Sequence, residues 1–279
     1  MTEGKSENML NEMLKNLRNK SPLIHNITNY VTANDCANIL IACGASPIMA
    51  DEIEEVEEIT SLCAGLNINI GTLNKRTIPA MLAAGKKSNE LDHPIVLDPV
   101  GVGASRLRTD TAKELLEQVD FSVIRGNLSE IKGLAFGKSY TRGVDSIDFI
   151  NKENLDMIVN FAKEFAKKTS AVIVITSVID IVTNGEKAYC VYNGDKMMSK
   201  ITGSGCQLSA MLAAYISANK KYILEAALAG VCSMGLCGET AKLRMGESDG
   251  NSSYRNYLID AVYNLTSEDL QKGARYEIR

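Results

Sequence analysis

Apolar residues along this chain recur at two spacings, and the two spacings alternate. Near the N-terminus they lie three or four positions apart and predict one face of a helix: Met9, Leu10, Met13, Leu14 and Leu17. Farther along, short unbroken apolar runs at residues 94–98 and 171–176 are typical of strands buried on both sides. The alternation predicts helices and strands that follow one another through most of the chain.

The same patterns divide the rest of the chain. Helices are predicted at residues 31–43, 52–63, 78–88, 109–118, 129–136, 153–168, 208–217, 224–243 and 254–266. Strands are predicted at residues 46–50, 65–71, 94–98, 121–125, 171–176 and 196–201, with a hairpin of residues 180–183 and 186–192. Apolar strands separated by helices predict the α/β class, a mostly parallel sheet with helices on both faces. No linker-like segment interrupts the pattern, so we expect a single domain over residues 1–279.

Chemically informative residues follow several of the predicted strands. Asp98, Arg125 and Thr176 each stand at the carboxyl end of an apolar run. In open parallel sheets, ligands bind outside the carboxyl ends of the strands. We therefore expect these three side chains to share one site.

The segment Thr202-Gly203-Ser204-Gly205-Cys206 opens a long apolar helix. The free N–H groups and the dipole of a helix N-terminus form an anion site suited to phosphate. A cysteine on the first turn is expected to have a lowered pKa. The segment therefore favours phosphoryl transfer, with Gly203, Ser204 and Gly205 as an anion hole. The alternative is an ordinary glycine-rich turn with a buried cysteine.

A second polar cluster follows the strand at 121–125. Arg125 suits a nucleotide phosphate, and Asn127 and Glu130 suit a Mg²⁺ shell, often through water. Asn127 and Glu130 also have the spacing of a helix capping box. Asp98 is open to two interpretations as well, a metal- or phosphate-side acid or a cap for the turn after it. For Asn127 with Glu130, and again for Asp98, the spacing alone does not distinguish a ligand-binding role from a capping role.

Two further glycine motifs are weak. Gly101-Val102-Gly103 with Arg106 follows a strand but lacks the third glycine of a dinucleotide-binding fingerprint. Residues 133–139 resemble a P-loop with one residue too few between the glycines, so we predict a helix C-terminus capped by Gly137.

Composition narrows the setting. Seven cysteines without paired spacing do not match a disulfide framework, and we expect reduced thiols in the cytoplasm. With only His25 and His93 available, a zinc site is not favoured. A net charge of −4 without a long basic run argues against a nucleic-acid partner. Because the first residues are polar and no uncharged apolar run reaches about 18 residues, neither a signal peptide nor a membrane span is expected.

Taken in order, the motifs resemble the hydroxyethylthiazole kinase family of the ribokinase-like superfamily, from about Ser21 to Ser267. They are the segment Ser21-Pro22-Leu23-Ile24-His25-Asn26-Ile27-Thr28-Asn29, then Gly44-Ala45-Ser46-Pro47-Ile48-Met49-Ala50, Asn69-Ile70-Gly71-Thr72-Leu73, Asp98-Pro99-Val100-Gly101, Ile124-Arg125-Gly126-Asn127-Leu128-Ser129-Glu130-Ile131, Gly143-Val144-Asp145 and Thr202-Gly203-Ser204-Gly205-Cys206. Each motif is weak alone, but the order and spacing are specific.

The resemblance implies a reaction and an assembly. Such enzymes transfer the γ-phosphoryl group of ATP, with Mg²⁺, to the primary alcohol of 4-methyl-5-(2-hydroxyethyl)thiazole. They form homotrimers whose active sites lie at the subunit interfaces. By motif match, Asn29 and Met49 would line the thiazole pocket, with Val31 nearby, a residue that the neighbouring subunit could present. Gly203 would contact the substrate end of the anion hole, and Cys206 would stand where related kinases carry a base aspartate.

The resemblance also assigns the ATP side of the site. Arg125, Thr176 and Asn127 would bind ATP, and Asp98 and Glu130 would serve the Mg²⁺ and phosphate region. In a loose transition state the alcohol proton leaves late, so a thiolate base would contribute modestly, about 10²-fold.

The chain departs from the family pattern at two positions, and other functions remain open. Ser177 stands where glycine is usual, in the loop that the resemblance assigns to ATP contact, and Ser204 stands where Ala or Thr is common. The alternatives are another ribokinase-like kinase, a nucleotide-dependent dehydratase that repairs hydrated cofactors, and a non-catalytic binding module. The two enzymes would carry aspartate in place of Cys206, whereas a binding module would show no turnover.

Overall fold

A computed structural model describes residues 3–137 and 150–279. The described residues form nine strands: β1 (Leu23–Ile27), β2 (Ser46–Met49), β3 (Gly65–Asn69), β4 (Ile95–Asp98), β5 (Val123–Asn127), β6 (Val172–Thr176), β7 (Asp180–Thr183), β8 (Ala188–Val191) and β9 (Tyr276–Ile278). Their helices are α1 (Glu3–Lys20), α2 (Ala33–Cys43), α3 (Val56–Leu62), α4 (Thr77–Glu90), α5 (Arg106–Gln118), α6 (Leu128–Phe136), α7 (Leu155–Thr169), α8 (Ser204–Ala218), α9 (Ile223–Arg244), α10 (Asn251–Asn264) and α11 (Ser267–Gly273). The motif Gly143-Val144-Asp145, with Lys138 and Ser139 of the P-loop-like segment, lies outside the described residues.

One sheet runs through the described residues in the order β2-β1-β3-β4-β5-β6-β7-β8-β9. The pairs from β2 to β6 are parallel, and the pairs from β6 to β9 are antiparallel. The predicted α/β class and the mostly parallel sheet are confirmed, as is the hairpin of β7 and β8. Because β1 and β3 to β6 run the same way, their carboxyl ends lie along one edge, where the candidate site residues stand.

Helices cover both faces of the sheet, so the central strands β3 and β4 are buried on both sides. One buried cluster joins α1, α2, α8, α9 and α10 to one face of the sheet. A second joins α3 to α7 to the other face. The predicted apolar face of α1 is confirmed, since Leu10, Met13, Leu14 and Leu17 are buried. The strand signal was correct for β4 and β6, because two-sided burial leaves a nearly continuous apolar run in each of them.

Helix α9 is the element that most resembles a membrane span. Among the described residues it is long and apolar enough to cross a bilayer, yet 72% of its apolar window is buried inside the protein. It packs against α8 and α10, so its composition is that of a core helix.

One predicted strand is wrong. Residues 196–201 contain a 3₁₀ helix, Lys196–Lys200, and no strand. The side chain of Asp195 accepts a hydrogen bond from the N–H of Met197 at 2.7 Å, which starts a turn that competes with extension. The patterns also left out β1, β9 and α11. The first lies inside a quoted motif, and the other two are short elements near the C-terminus.

Candidate active site

Helix α8 begins with its free N–H groups at the carboxyl edge of the sheet. Gly203, the N-cap residue, has a φ of +81°, a left-handed conformation that favours glycine. A Cβ at this position would collide with the side chain of Thr32. Ser204 donates its hydroxyl hydrogen to the carbonyl of Met198 at 3.1 Å, so its side chain is turned away from the N–H groups. The glycine-rich segment therefore has the backbone form of an anion hole.

Arg125 lies across this helix terminus. Its guanidinium group touches the backbone of Gly205 so closely that a Cβ there would overlap it. It donates a hydrogen bond to Thr176 Oγ1 at 2.5 Å and lies 3.5 Å from Asp98 Oδ2, with its side chain only 11% exposed. The structure thus joins the ends of β4, β5 and β6 to the start of α8, as expected for Asp98, Arg125 and Thr176.

Asp98 is the buried carboxylate of the site. Its Oδ2 atom accepts hydrogen bonds from Asn69 Nδ2 and Ser209 Oγ, both at 2.8 Å. Its Oδ1 atom is buried and has no hydrogen-bond partner in the protein. Burial raises the pKa of Asp98 to about 6, against the opposing effect of Arg125, and nearby Glu130 raises it further. The unpartnered oxygen leaves one coordination position free.

Two asparagines connect Asp98 to Cys206. Asn69 Oδ1 accepts a hydrogen bond from Asn29 Nδ2 at 3.0 Å, and the same Nδ2 lies 3.3 Å from Cys206 Sγ. Asn29 Oδ1 accepts hydrogen bonds from both the N–H and the hydroxyl of Thr32, at 3.1 and 3.0 Å. The side chains of this network are all buried: Asn69, Asn29, Thr32 and Cys206.

Our expectation of a lowered pKa for Cys206 is wrong. Burial of the side chain raises the pKa of the thiol, and the negative charge of Asp98 raises it further. Hydrogen bonds from Thr32 and Asn29 and the charge of Arg125 act in the opposite direction but are weaker. The helix terminus does lie beside the thiol, since Cys206 is the third residue of α8, but desolvation of the thiolate outweighs its field.

Asn127 and Glu130 form the capping box that the spacing allowed. Asn127 accepts from the N–H of Glu130, and Glu130 accepts from the N–H of Asn127, both at 2.8 Å. The other carboxylate oxygen of Glu130 accepts from the N–H of Gly101 at 2.9 Å. Glu130 is therefore held by backbone groups beside Asp98, and the glycine motif at 101–106 forms part of this support.

The donor set fits Mg²⁺ bound largely through a substrate. Among residues 9–137 and 150–279, no group of three or more His, Cys, Asp or Glu side chains forms a metal site. Mg²⁺ often takes only one or two carboxylates together with substrate phosphates and water. Asp98 has a free oxygen for this role, and Glu130 is placed for contact through water.

Val31 and Met49 do not join this network. Val31 is 57% exposed and Met49, at the end of edge strand β2, is 39% exposed. Both lie on segments next to the site, since Thr32 contacts Gly203 and Met49 pairs with Asn26 of β1. Their apolar side chains face solvent in the isolated chain.

The segment after Thr176 also has defined partners. Ser177, where the family pattern has glycine, accepts a hydrogen bond from the N–H of Ile150 at 3.1 Å. Its own N–H donates to Asp180 Oδ1 at 2.8 Å. The serine thus connects Ile150 and Asp180 beside Thr176.

Residue-by-residue reasoning missed three polar members of the site: Thr32, Asn69 and Ser209. A signal existed for two of them. Asn69 ends strand β3 as Asp98 ends β4, and the two residues are partners in the sheet. Ser209 lies three residues after Cys206 and therefore shares its helix face. Nothing in the local sequence marked Thr32, because its role comes from the packing of α2 on α8.

The N-terminus of a buried helix, a buried carboxylate and an arginine meet at the carboxyl edge of this mixed sheet, and the architecture is that of the ribokinase-like fold. The fold matches that of a ribokinase-like superfamily protein from Enterococcus faecalis V583, with a TM-score of 0.58 at 11% identity over 94% of this chain and 95% of the other.

Closer relatives identify the family. The model of the hydroxyethylthiazole kinase family matches residues 14–268. A hydroxyethylthiazole kinase from Clostridium acetobutylicum is 65% identical over 96% of this chain and 99% of its own. The structure of hydroxyethylthiazole kinase protein from Pyrococcus horikoshii OT3 is 32% identical, with a TM-score of 0.87 over 98% of this chain and 99% of the other. The chain belongs to the hydroxyethylthiazole kinase family and is a kinase.

Proposed function

We propose that this chain, acting as one kinase domain in the cytoplasm, transfers the γ-phosphoryl group of ATP to the primary alcohol of 4-methyl-5-(2-hydroxyethyl)thiazole in thiamine biosynthesis and salvage. The observation that carries the proposal is the convergence of Arg125, Asp98 and Cys206 on the N-terminus of α8. A relative that is 65% identical over nearly its full length carries the name of this kinase.

The phosphate side of the site combines the N-terminus of α8 with the nearly buried guanidinium group of Arg125. The N–H groups at Gly203 to Cys206 and the guanidinium of Arg125 would stabilise the charge on the moving phosphoryl group. Thr176 and Asn127 lie opposite each other on β6 and β5 and would bind ATP. Phosphoryl transfer needs mainly positioning and charge neutralisation, which is what these groups supply.

Mg²⁺ would be held by Asp98, with Glu130 acting through water, and would neutralise charge on the ATP phosphates. The free Oδ1 atom of Asp98 supports this assignment. The capping box around Glu130 supports a fixed carboxylate beside it.

On the alcohol side, Asn29 and Gly203 would contact the substrate, with Met49 and Val31 lining the thiazole pocket. The alcohol oxygen forms a bond to the γ-phosphorus while the bond from that phosphorus to the β,γ-bridging oxygen breaks and ADP leaves. The alcohol proton passes late to Cys206 Sγ, which must be in the thiolate form to accept it. Because the thiol pKa is raised, only a minority of molecules would carry the thiolate near neutral pH.

We further propose a homotrimer whose active sites are completed across the interfaces. Support comes from exposed apolar side chains on neighbouring segments, with the fractions 80% for Tyr30, 57% for Val31, 57% for Ile41 and 39% for Met49. Complementation tests it: Met49→Lys and Cys206→Ala variants, each impaired, are mixed after dissociation. Recovered activity would support active sites that take Met49 and Cys206 from different subunits. No recovery would mean that each site takes both residues from the same subunit.

The first experiment is ADP formation by purified protein with ATP and Mg²⁺, with and without the thiazole alcohol. We expect alcohol-dependent ADP formation and a phosphorylated thiazole in the mass spectrum. Folded, ATP-binding protein that shows no stimulation would contradict the proposed substrate and reopen other alcohols and the non-catalytic module.

A further inference from the structure

Asn69 stands between the two halves of the site. It ends β3, is 1% exposed, and donates a hydrogen bond to Asp98 while accepting one from Asn29. Asn29 in turn donates to Cys206 Sγ at 3.3 Å. Through two amides in series, those of Asn69 and Asn29, the carboxylate side is therefore connected to the thiol side.

Backbone groups determine which way both amides point. The N–H of Gly71 can only donate, and it donates to Asn69 Oδ1 at 2.9 Å, so Nδ2 of Asn69 faces Asp98. The N–H of Thr32 likewise donates to Asn29 Oδ1, so Nδ2 of Asn29 faces Cys206. Reversal of either amide would bring N–H groups together. The sulfur of Cys206 consequently always faces an N–H donor.

We infer that Asn69 is a positioning residue for phosphoryl transfer, which holds the amide of Asn29 against Cys206 and ties it to Asp98. The inference rests on the proposed function, since it concerns the same site. An N–H donor on the sulfur favours the thiolate that the reaction needs. It also occupies one lone pair of the sulfur, so the remaining lone pairs point away from Asn29. Loss of Asn69 removes one of the three hydrogen bonds that anchor the Asn29 amide, the other two coming from Thr32, so the donor is held less firmly against the sulfur.

The chain offers a matched control on the same strand. Asn67 lies two residues before Asn69, faces the same side of the sheet and is fully buried. Its amide donates to Asn26 Oδ1 at 3.1 Å and takes no part in the hydrogen bonds that join Asp98, Asn69, Asn29 and Cys206. Asn67→Ala therefore creates the same cavity in the same strand without touching the connection to Cys206.

The test compares Asn69→Ala with Asn67→Ala in kcat, in KM for ATP and for the alcohol, and in Tm. We expect kcat of Asn69→Ala to fall about tenfold, with KM for ATP within about twofold of wild type. Asn67→Ala should keep kcat within about twofold even if its Tm falls equally. Asn69→Thr and Asn67→Thr, which suit a strand, replace the alanine pair if either fails to fold.

An unchanged kcat in Asn69→Ala, or equal losses in both variants, would overturn the inference. A second comparison tests the route through Asn29. If Asn69 acts through Asn29, the double variant Asn29→Ala/Asn69→Ala should match Asn29→Ala in kcat. A further fivefold loss in the double variant would show that Asn69 acts elsewhere and would overturn the coupling. Wild-type protein without alcohol-dependent turnover would instead refute the proposed function, so the two failures are distinguishable.

Discussion

The guanidinium group of Arg125 lies against the backbone of Gly205, in the space that any side chain at position 205 would fill. Two positive features, the arginine and the helix N-terminus, are thereby brought to one point. Such an arrangement is costly unless a negative group lies nearby. Asp98 supplies part of that charge at 3.5 Å, and ATP phosphates would supply the rest.

Gly205→Ala should weaken ATP binding without unfolding the protein. The new methyl group displaces Arg125, and we expect KM for ATP to rise about tenfold, which is about 1.4 kcal/mol. Tm should change little, because alanine favours the helix. The control is Gly250→Ala at the start of α10, where a Cβ meets nothing within 4 Å. A KM for ATP equal to that of wild type would contradict contact between Arg125 and the nucleotide.

The raised pKa of Cys206 predicts an alkaline pH profile. If the thiolate is the base, kcat/KM should rise with pH and keep rising beyond pH 8, since the thiol pKa lies above its ordinary value. Cys206→Ser should lower kcat without abolishing it, by up to about 10²-fold. Cys206→Asp should stay active and lose the alkaline rise, because its carboxylate is already ionised. A folded but inactive aspartate variant would argue against a base at this position.

Glu130→Gln should separate the capping role from the metal role. Gln offers one acceptor oxygen where Glu130 accepts two backbone N–H groups, so about 1 kcal/mol of stability should be lost. Asp269→Asn is the control, because Asp269 completes a like capping box with Thr266 on α11. We expect both variants to lose stability, and only Glu130→Gln to need more Mg²⁺ for half-maximal activity. Equal Mg²⁺ requirements in the two variants would mean that Glu130 acts only as a helix cap.

Asp180 should make the protein less stable as pH rises. Burial raises the pKa of Asp180 to about 7, with the N–H of Ser177 and the charge of Arg125 opposing the shift. Between about pH 4, the unfolded pKa, and pH 7 the folded state binds more protons, so the stability from this group is lost with rising pH.

The neutral variant Asp180→Asn keeps an oxygen for the N–H of Ser177. At pH 8 we expect a gain of about 1 kcal/mol in the free energy of unfolding, which raises Tm above that of wild type by about 2–4 °C. At pH 4 the two Tm values should differ little. Thermal unfolding at both pH values measures this. A lower Tm for Asp180→Asn at pH 8 would show that the favourable effects of the Ser177 N–H and of the charge of Arg125 on the carboxylate outweigh its burial.

Ile41→Asp should prevent the proposed trimer. Ile41 is 57% exposed on α2, and a charge there would be desolvated on assembly. Light scattering should give the mass of a trimer for wild type and of a monomer for Ile41→Asp. Leu243→Asp, at an 87% exposed position near the end of α9, should remain trimeric. A trimer mass for all three proteins would place the interface elsewhere, and a monomer mass for wild type would refute the trimer.

The repeating apolar patterns predicted most of the fold. Residues 94–98 and 171–176 were recognised because strands covered on both faces need unbroken apolar runs. The strand at 196–201 was wrongly predicted because Asp195 caps a 3₁₀ helix there through a side-chain hydrogen bond that the apolar pattern does not reveal. Strand β9 was missed because three residues carry too little pattern.

For the candidate site, residues at strand ends were predictable and tertiary electrostatics were not. Asp98, Arg125 and Thr176 follow apolar runs, and the structure brings them together. The pKa of Cys206 was predicted in the wrong direction, because the helix terminus is visible in sequence whereas burial and the approach of Asp98 are not. The pairing of Asn29 with Asn69 likewise depends on two strands meeting in the sheet.

Strand β9 gives the last residues of the chain a protective role. Ala188 and Arg279 exchange two backbone hydrogen bonds, at 3.1 and 2.8 Å, and β9 covers the outer edge of β8. All four residues of β8 are buried, so this edge is apolar as well as rich in unpaired backbone groups when uncovered. A chain ending before Tyr276 would offer it as a template for strand addition by another molecule. Aggregation, more than loss of turnover, is the defect that such a truncation would cause.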